Sequence, residues 1–523
     1  MDTIFFNGNI YTQDRAYPRC SALAVKDGII TALGGDDEVM ALAGTNTELI
    51  DLGGAFAAPG FVDSHLHYIT YAQEKSCIDL SGVRSFGEAA ELYRQRLSDA
   101  REKGGWLLGV AFNQEDWDEK RIPVRAELDS IAADVPILMR RVCHHITVCN
   151  SRALELCGLS EACADGIVRE LEQDAVSDAM PLPDAEALKA LILSAAEDLA
   201  AKGIIEIQTD DFAVLPGDRG ETVMQAYREL AEAGRLPMRV YQQCNLGFVE
   251  NLEAFLEKGH GTGDTCGNYR LGPLKIIADG SLGAHTAALL EPYRDAPETK
   301  GILNYTDRQL EELIRAGHNS GMQIAVHCIG DRALQQSLDI LNKVHLERPR
   351  ADARHGIVHC QIMSREQQDQ FRTLNLLAYI QPIFIRTDMH IVEKCVGQSL
   401  ASTSYNWRRY EDLGVHQTGG SDCPVDTFDV LLGIQHAVAR QDSTTGKIWY
   451  LDHGLSVEEA LRCYTWEGAY ASFAERVRGS LTVGKYADLV VLERDITAIP
   501  AESIGTAKVL MTMVNGKTTY QAL

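Results

Sequence analysis

From residue 203 to residue 419 the chain alternates short apolar runs with amphipathic stretches, and no other feature restricts the fold as strongly. The apolar runs are Gly203 to Ile207, Met238 to Tyr241, Leu274 to Ile277, Ile324 to His327, Gly356 to His359, Leu376 to Ile380 and His416 to Gly419. Around and between them, Ala185 to Lys202, Val223 to Ala233, Arg308 to Asn319, Arg332 to His345 and Arg365 to Thr373 place apolar residues three and four apart, which is the period of a helix face. Repeated strand–helix units of this kind predict an α/β fold, a TIM-like (β/α)8 barrel with its chemistry at the C-terminal strand ends. The stretch Pro59-Gly60-Phe61-Val62-Asp63-Ser64-His65-Leu66-His67 supplies the opening strand, restarted by the Pro-Gly pair.

The two ends of the chain have a different pattern. Thr3 to Asn7, Ala22 to Val25, Ile29 to Leu33 and Leu49 to Leu52 are short alternating runs punctuated by glycine. Gly479 to Leu492 has the pattern of two strands about a Gly-Lys turn, and Val509 to Asn515 adds another. Each half-sheet alone would expose an unpaired edge, so residues 1–57 and 475–523 are expected to form one composite β-sandwich beside a barrel of residues 58–474. Residues at about 75–185 do not fit the barrel count. They carry Trp106, Phe112, Trp117 and the pair His144-His145, and are expected to form an insertion over the barrel mouth.

Of the 523 residues, 45% are hydrophobic and 24% charged, which is globular material sufficient for more than one structural unit. The net charge of -25, with no clustered Lys or Arg, argues against nucleic acid or an anionic membrane surface as partner. The N-terminal residues lack a basic and then apolar leader pattern, and no run of eighteen apolar residues occurs, so a cytoplasmic location is expected. Thirteen cysteines without close pairing suit reduced thiols better than a disulfide framework.

Polar groups that terminate apolar strands are the candidates for chemistry. His65 and His67 share one strand face and make half of a divalent-cation site. His327 and His359 each close a strand. Either could be a packed core residue, but two in successive units weaken that reading. Asp422, in Gly419-Gly420-Ser421-Asp422, ends the last strand and reads as a ligand or as a solvated turn residue. Lys275 is a donor only. It either pairs with a carboxylate such as Asp279 or has lost its charge.

The order His-x-His, Lys, His, His, Asp resembles the metal-dependent amidohydrolase superfamily. The motifs PGFVDSHLHY, LKIIADGSLGAHTAALLEPY, VHCIGDRAL, RHGIVHC, Gln381-Pro382, GGSDCPV and GSLTVGKYADLVVL are similar to its amidohydrolase-3, or YtcJ-like, branch, which includes N-substituted formamide deformylases. The insertion motifs WLLGVAFNQEDW, IPVRAELD and HITVCNSRAL resemble the same branch. The resemblance implies two divalent metals, usually zinc: His65, His67 and Asp422 at one, His327 and His359 at the other, bridged by a carboxylated Lys275. Three departures fall in substrate-facing motifs. The segment after Leu156 is short, Phe384 stands where many members have histidine, and His285 stands where arginine is frequent.

The resemblance further implies metal-activated hydroxide attack on a carbonyl carbon, with Asp422 as proton shuttle and His145 or His285 as a donor to the oxyanion. The expected substrate is a small molecule with an amide, N-acyl or N-formyl C–N bond, lined by Trp117, His145, His285 and Phe384; Trp117 and Phe384 read equally well as packing residues. A homodimer is left open. Rival readings are an esterase, lactonase or decarboxylase on the same site, a non-catalytic scaffold, and a mononuclear deaminase. The deaminases place a glutamate soon after a strand-end histidine, whereas His359 is followed by Cys360-Gln361-Ile362.

Overall fold

A computed structural model describes residues 1–103, 105–141, 146–169, 172–215, 217–218, 220–442 and 444–522. The chain forms two units, one of residues 1–68 with 192–523 and one of residues 69–191. In the first, eight parallel strands follow one another in chain order: Phe61–Leu66, Ile204–Thr209, Arg239–Asn245, Tyr269–Ile277, Ile324–Cys328, Gly356–His359, Leu377–Ile380 and Gln417–Gly419. Most of their residues are buried, as expected of a parallel sheet covered on both faces. The eighth strand meets the first just beyond the ladder. There Asp422 N–H donates to His65 O and His67 N–H to Cys423 O, both at 2.7 Å, so the barrel is nearly closed.

Helices Glu221–Glu232, Asp307–Asn319, Asp331–Glu347 and Arg365–Thr373 lie where the helical period places them. Two of them begin with reciprocal caps, Thr306 with Gln309 and Ser364 with Gln367, which satisfy otherwise orphaned amides. A further helix, Val249–Glu257, is not among those expected from the sequence pattern; it buries Leu252 and Phe255. Among the described residues no helix is long and apolar enough to cross a membrane.

The chain ends contribute two sheets to the same unit. One holds Ile29–Gly34, Ala22–Lys26, Thr3–Phe6 and Glu48–Asp51, in that order; the other holds Lys517–Gln521, Val509–Val514, Leu489–Leu492, Phe56–Pro59, Asn9–Tyr11 and Arg19–Cys20. The join between the termini is antiparallel, Leu489–Leu492 against Phe56–Pro59. Phe5, Ile10, Leu23, Ile30, Leu489 and Met511 share a core. Gly479 to Val483 adds no strand to either sheet. It turns instead, with Leu481 N–H donating to Thr12 O and Gly484 N–H to Ile30 O.

The second unit is built on a five-stranded sheet of Ile167–Arg169, Ile146–Cys149, Ile137–Arg141, Leu107–Phe112 and Ile78–Asp79, in that order. Tyr93, Phe112, Trp117, Leu128 and Ile137 form its core.

Candidate metal centre

The strand ends bring six side chains of the first unit together. His65 lies on the first barrel strand and His67 one residue past it, so the pleat turns both rings to one side, with centroids 5.3 Å apart. The His359 ring is 5.5 Å from His65 and 4.4 Å from His327. Asp422 Oδ1 is 3.3 Å from His65 Nε2 and 3.2 Å from His67 Nε2. Lys275 Nζ is 3.2 Å from His65 Nε2. One donor atom from each of His65, His359 and Asp422 falls within 4.8 Å of the others.

The backbone is bent to allow this. His359, Cys360 and Asp422 have φ of 81°, 52° and 58°, a region side-chain-bearing residues adopt at a cost. At Gly420 a Cβ would stand 2.7 Å from His65 N, so only glycine lets the last strand come this close to the first. Asp63 Oδ1 ties the two together, accepting from Ser421 N–H at 3.0 Å and His65 N–H at 3.2 Å.

All four histidines use Nδ1 outward. His65 Nδ1 faces Gln243 Oε1 at 3.0 Å, His67 Nδ1 faces Asp210 O at 2.9 Å, His327 Nδ1 faces Asp279 Oδ1 at 3.1 Å and His359 Nδ1 faces Gln381 Oε1 at 2.9 Å. Each acceptor fixes the proton on Nδ1 and leaves the Nε2 lone pair for the interior. The Gln243 orientation is itself set, since its Nε2 donates to Ser64 O at 3.1 Å.

This donor set fits divalent cations. An imidazole whose Nδ1–H is already engaged can face a carboxylate oxygen only if Nε2 gains a proton or a cation lies between, and both His65 and His67 face Asp422 Oδ1. Burial lowers the His65 pKa to about 4 and holds His359 well below its ordinary value, which keeps both imidazoles neutral. Burial also lowers His67, but the Asp422 carboxylate outweighs it and raises His67 to about 9. A proton on His67 thus holds the place a cation would take, and metal binding would release it.

Lys275 is 1% exposed, and burial lowers its pKa from the ordinary value. Its nearest carboxylate is Asp210, with Oδ2 at 3.8 Å. Asp279 is occupied elsewhere: besides His327 it accepts the N–H groups of Ala288, Ile329 and Gly330. Asp210, Gln243 and Gln381 thus support the site; Gln381 belongs to the Gln381-Pro382 motif but is not among the expected site residues, and for Gln243 a polar pair interrupting an apolar strand, Gln242-Gln243, is the local hint.

The four residues expected against substrate have different surroundings. The Phe384 ring stacks on His359, centroids 6.3 Å apart at 12°. His285 is turned to Asp295, with Nε2 3.2 Å from Oδ1, and to the Tyr293 ring. Trp117 is 1% exposed in the core of the second unit, packed on Phe112. His145 lies outside the described residues.

Comparison with known proteins gives the family. The amidohydrolase family model matches residues 48–520. YtcJ of Bacillus subtilis (strain 168), described as an amidohydrolase, is 31% identical over 540 residues, covering 100% of both chains. The N-substituted formamide deformylase of Arthrobacter pascens is 26% identical, covering 99% of this chain and 98% of its own. The crystal structure of an uncharacterized metal-dependent hydrolase from Pyrococcus furiosus superposes with a TM-score of 0.81 at 28% identity, over 95% of this chain and 99% of that one. The chain belongs to the amidohydrolase family.

Proposed function

We propose that the protein hydrolyses a non-peptide C–N bond of a small molecule, an amide, N-acyl or N-formyl compound, at a two-ion centre. The observation that carries the reading is the convergence of four imidazoles, each anchored through Nδ1, with a buried carboxylate and a buried lysine. His65, His67 and Asp422 would hold one ion, and His327 with His359 the other. Zinc suits imidazole and carboxylate donors best. Bound there, divalent ions supply acidified water and polarisation of the scissile carbonyl.

The chain's own groups do the rest. Asp422, fixed by the glycine-permitted approach of the last strand to His65, takes a proton from the attacking water at a carboxylate oxygen and passes it to the departing nitrogen. Lys275, whose charged form burial disfavours, would react as the free amine at Nζ with carbon dioxide; an N–C bond forms, one proton leaves, and the resulting carbamate would supply an anion to the centre. Phe384, stacked on His359, presents an apolar face to the substrate beside the reacting bond.

Screening zinc-loaded protein against N-formyl, N-acyl, carbamate and lactone panels tests the reading. Turnover of the first two classes, lost in chelator and reduced about 10²–10⁴-fold or more by Asp422→Asn, is expected. Turnover confined to lactones and other esters overturns the C–N assignment.

A further inference from the structure

A second set of metal-type donors lies apart from the histidine centre and shares no residue with it. One donor atom from each of His285, Asp295 and Cys395 falls within 4.8 Å of the other two. His285 Nε2 is 3.2 Å from Asp295 Oδ1, and Cys395 Sγ is 3.6 Å from Asp295 Oδ2. The edges of a zinc tetrahedron are about 3.3 Å for nitrogen to oxygen and about 3.5 Å for sulfur to oxygen, given zinc bonds of about 2.0 Å to N and O and about 2.3 Å to S. The two observed separations, one to each oxygen of the Asp295 carboxylate, are of that size.

Three further features show that the arrangement is built. Arg294 N–H donates to Cys395 O at 2.8 Å, which locks Asp295 beside the helix Val392–Ala401 that carries the thiol. His285 sits at a φ of 56°, and the edge-on Tyr293 ring, 4.7 Å away, fixes the plane of its imidazole. Its Nε2 is nevertheless buried without a hydrogen-bond partner, although a carboxylate oxygen is within reach. An unprotonated Nε2 facing a carboxylate oxygen is an arrangement a cation resolves.

We propose that His285, Asp295 and Cys395 form a second, separate site for a borderline-soft divalent cation of the zinc class, with three protein ligands and an open fourth position. The donor chemistry selects the ion: thiolate and imidazole suit zinc or cobalt and disfavour magnesium or calcium. His285 and Asp295 are each about one-third exposed, so the cluster lies near the surface. The bound ion would link the connection after the Lys275 strand to the helix that follows the seventh barrel strand. Binding displaces the Cys395 proton, which burial, reinforced by Asp295, otherwise retains by raising the thiol to about 11.

Cobalt distinguishes this site from the histidine centre, whose proposed donors include no thiolate. The full chain, stripped with chelator and dialysed against Co²⁺, should show a near-ultraviolet thiolate-to-cobalt absorption and bind one more ion per chain than Cys395→Ser. The band should vanish in Cys395→Ser and Asp295→Asn and persist in Asp422→Asn. Asp295→Asn, at an exposed position, carries the test if Cys395→Ser fails to fold. A wild-type protein that fills its histidine centre without the band, or a band unchanged in both variants, overturns the proposal.

Discussion

Gln381 Oε1 stands 2.9 Å from Nδ1 of His359, so an uncharged amide on the seventh barrel strand's exit fixes the tautomer of an imidazole on the sixth. The bond leaves His359 Nε2 as the only lone pair the ring can offer a metal. Replacing Gln381 by leucine removes the acceptor, frees the ring to rotate and leaves a buried N–H unpaired. Metal affinity of Gln381→Leu should fall about 10–100-fold with little change in global stability, as measured by competition with a coloured chelator. Unchanged affinity would show that packing alone, including the Phe384 stack, orients the ring.

Lys275 separates the two-ion reading from its single-ion rival. If its carbamate bridges two ions, Lys275→Ala should lose metal and turnover together, and added formate or acetate should restore part of both by occupying the vacated position. A variant that binds two ions normally and turns over at the parent rate means that Lys275 serves only as a neighbour of Asp210 and His65.

The six strand-end groups are legible in the sequence because each interrupts an apolar run with a residue that is expensive to bury. The residues that aim them are not. Gln243 and Gln381 are neutral amides, and nothing in local sequence distinguishes a glutamine holding an imidazole from one capping a carbonyl. The barrel is legible through its period, whereas Gly479 to Val483 shows strand-like alternation where the backbone turns and bonds to Thr12 and Ile30. Aromatic residues carry the least information. Trp117 and Phe384 have the same pattern in sequence, yet one is packed in the second unit's core and the other lies on a site histidine.

Asp388 gives the fold a pH dependence of its own. Its carboxylate accepts from Tyr405 Oη at 2.6 Å and Gln361 Nε2 at 3.4 Å. Burial pushes its pKa up to about 6, with the Asp426 carboxylate adding to the rise. An unfolded aspartate titrates near about 3.9. Between these values the folded state binds more protons than the unfolded state, so Asp388 costs stability progressively as pH rises from about 4 to about 6. Asp388→Asn, which still accepts from Tyr405, should match the parent below pH 4 and exceed it by about 1–3 kcal/mol at pH 7. Urea denaturation across that range measures the difference, and a gap independent of pH assigns it to packing.

The join between the barrel and the terminal sheet includes a buried ion pair between Arg239 and Asp488, beside a second between Arg478 and Glu206. Arg239 opens the third barrel strand and Asp488 immediately precedes the terminal strand Leu489–Leu492. The guanidinium and carboxylate meet through two contacts of 3.0 Å, with side-chain exposures of 6% and 3%. Asp488 Oδ1 also accepts from Asn515 N–H at 2.8 Å, and Arg239 reaches the Asn515 amide oxygen. Removing the cation leaves a buried carboxylate without its guanidinium partner. Arg239→Met should therefore cost about 3–5 kcal/mol in chemical denaturation. A buried pair replaced whole behaves differently, because the desolvation of both charges is relieved along with the loss of their attraction. The double variant Arg239→Met/Asp488→Leu should recover most of the deficit, short of about 1 kcal/mol for the hydrogen bond to Asn515. The bound metal should be retained in both variants, since the ligands sit at the opposite, C-terminal ends of the strands. A single variant that costs less than about 1 kcal/mol would mean that the hydrophobic contacts of the two layers hold the join without the pair.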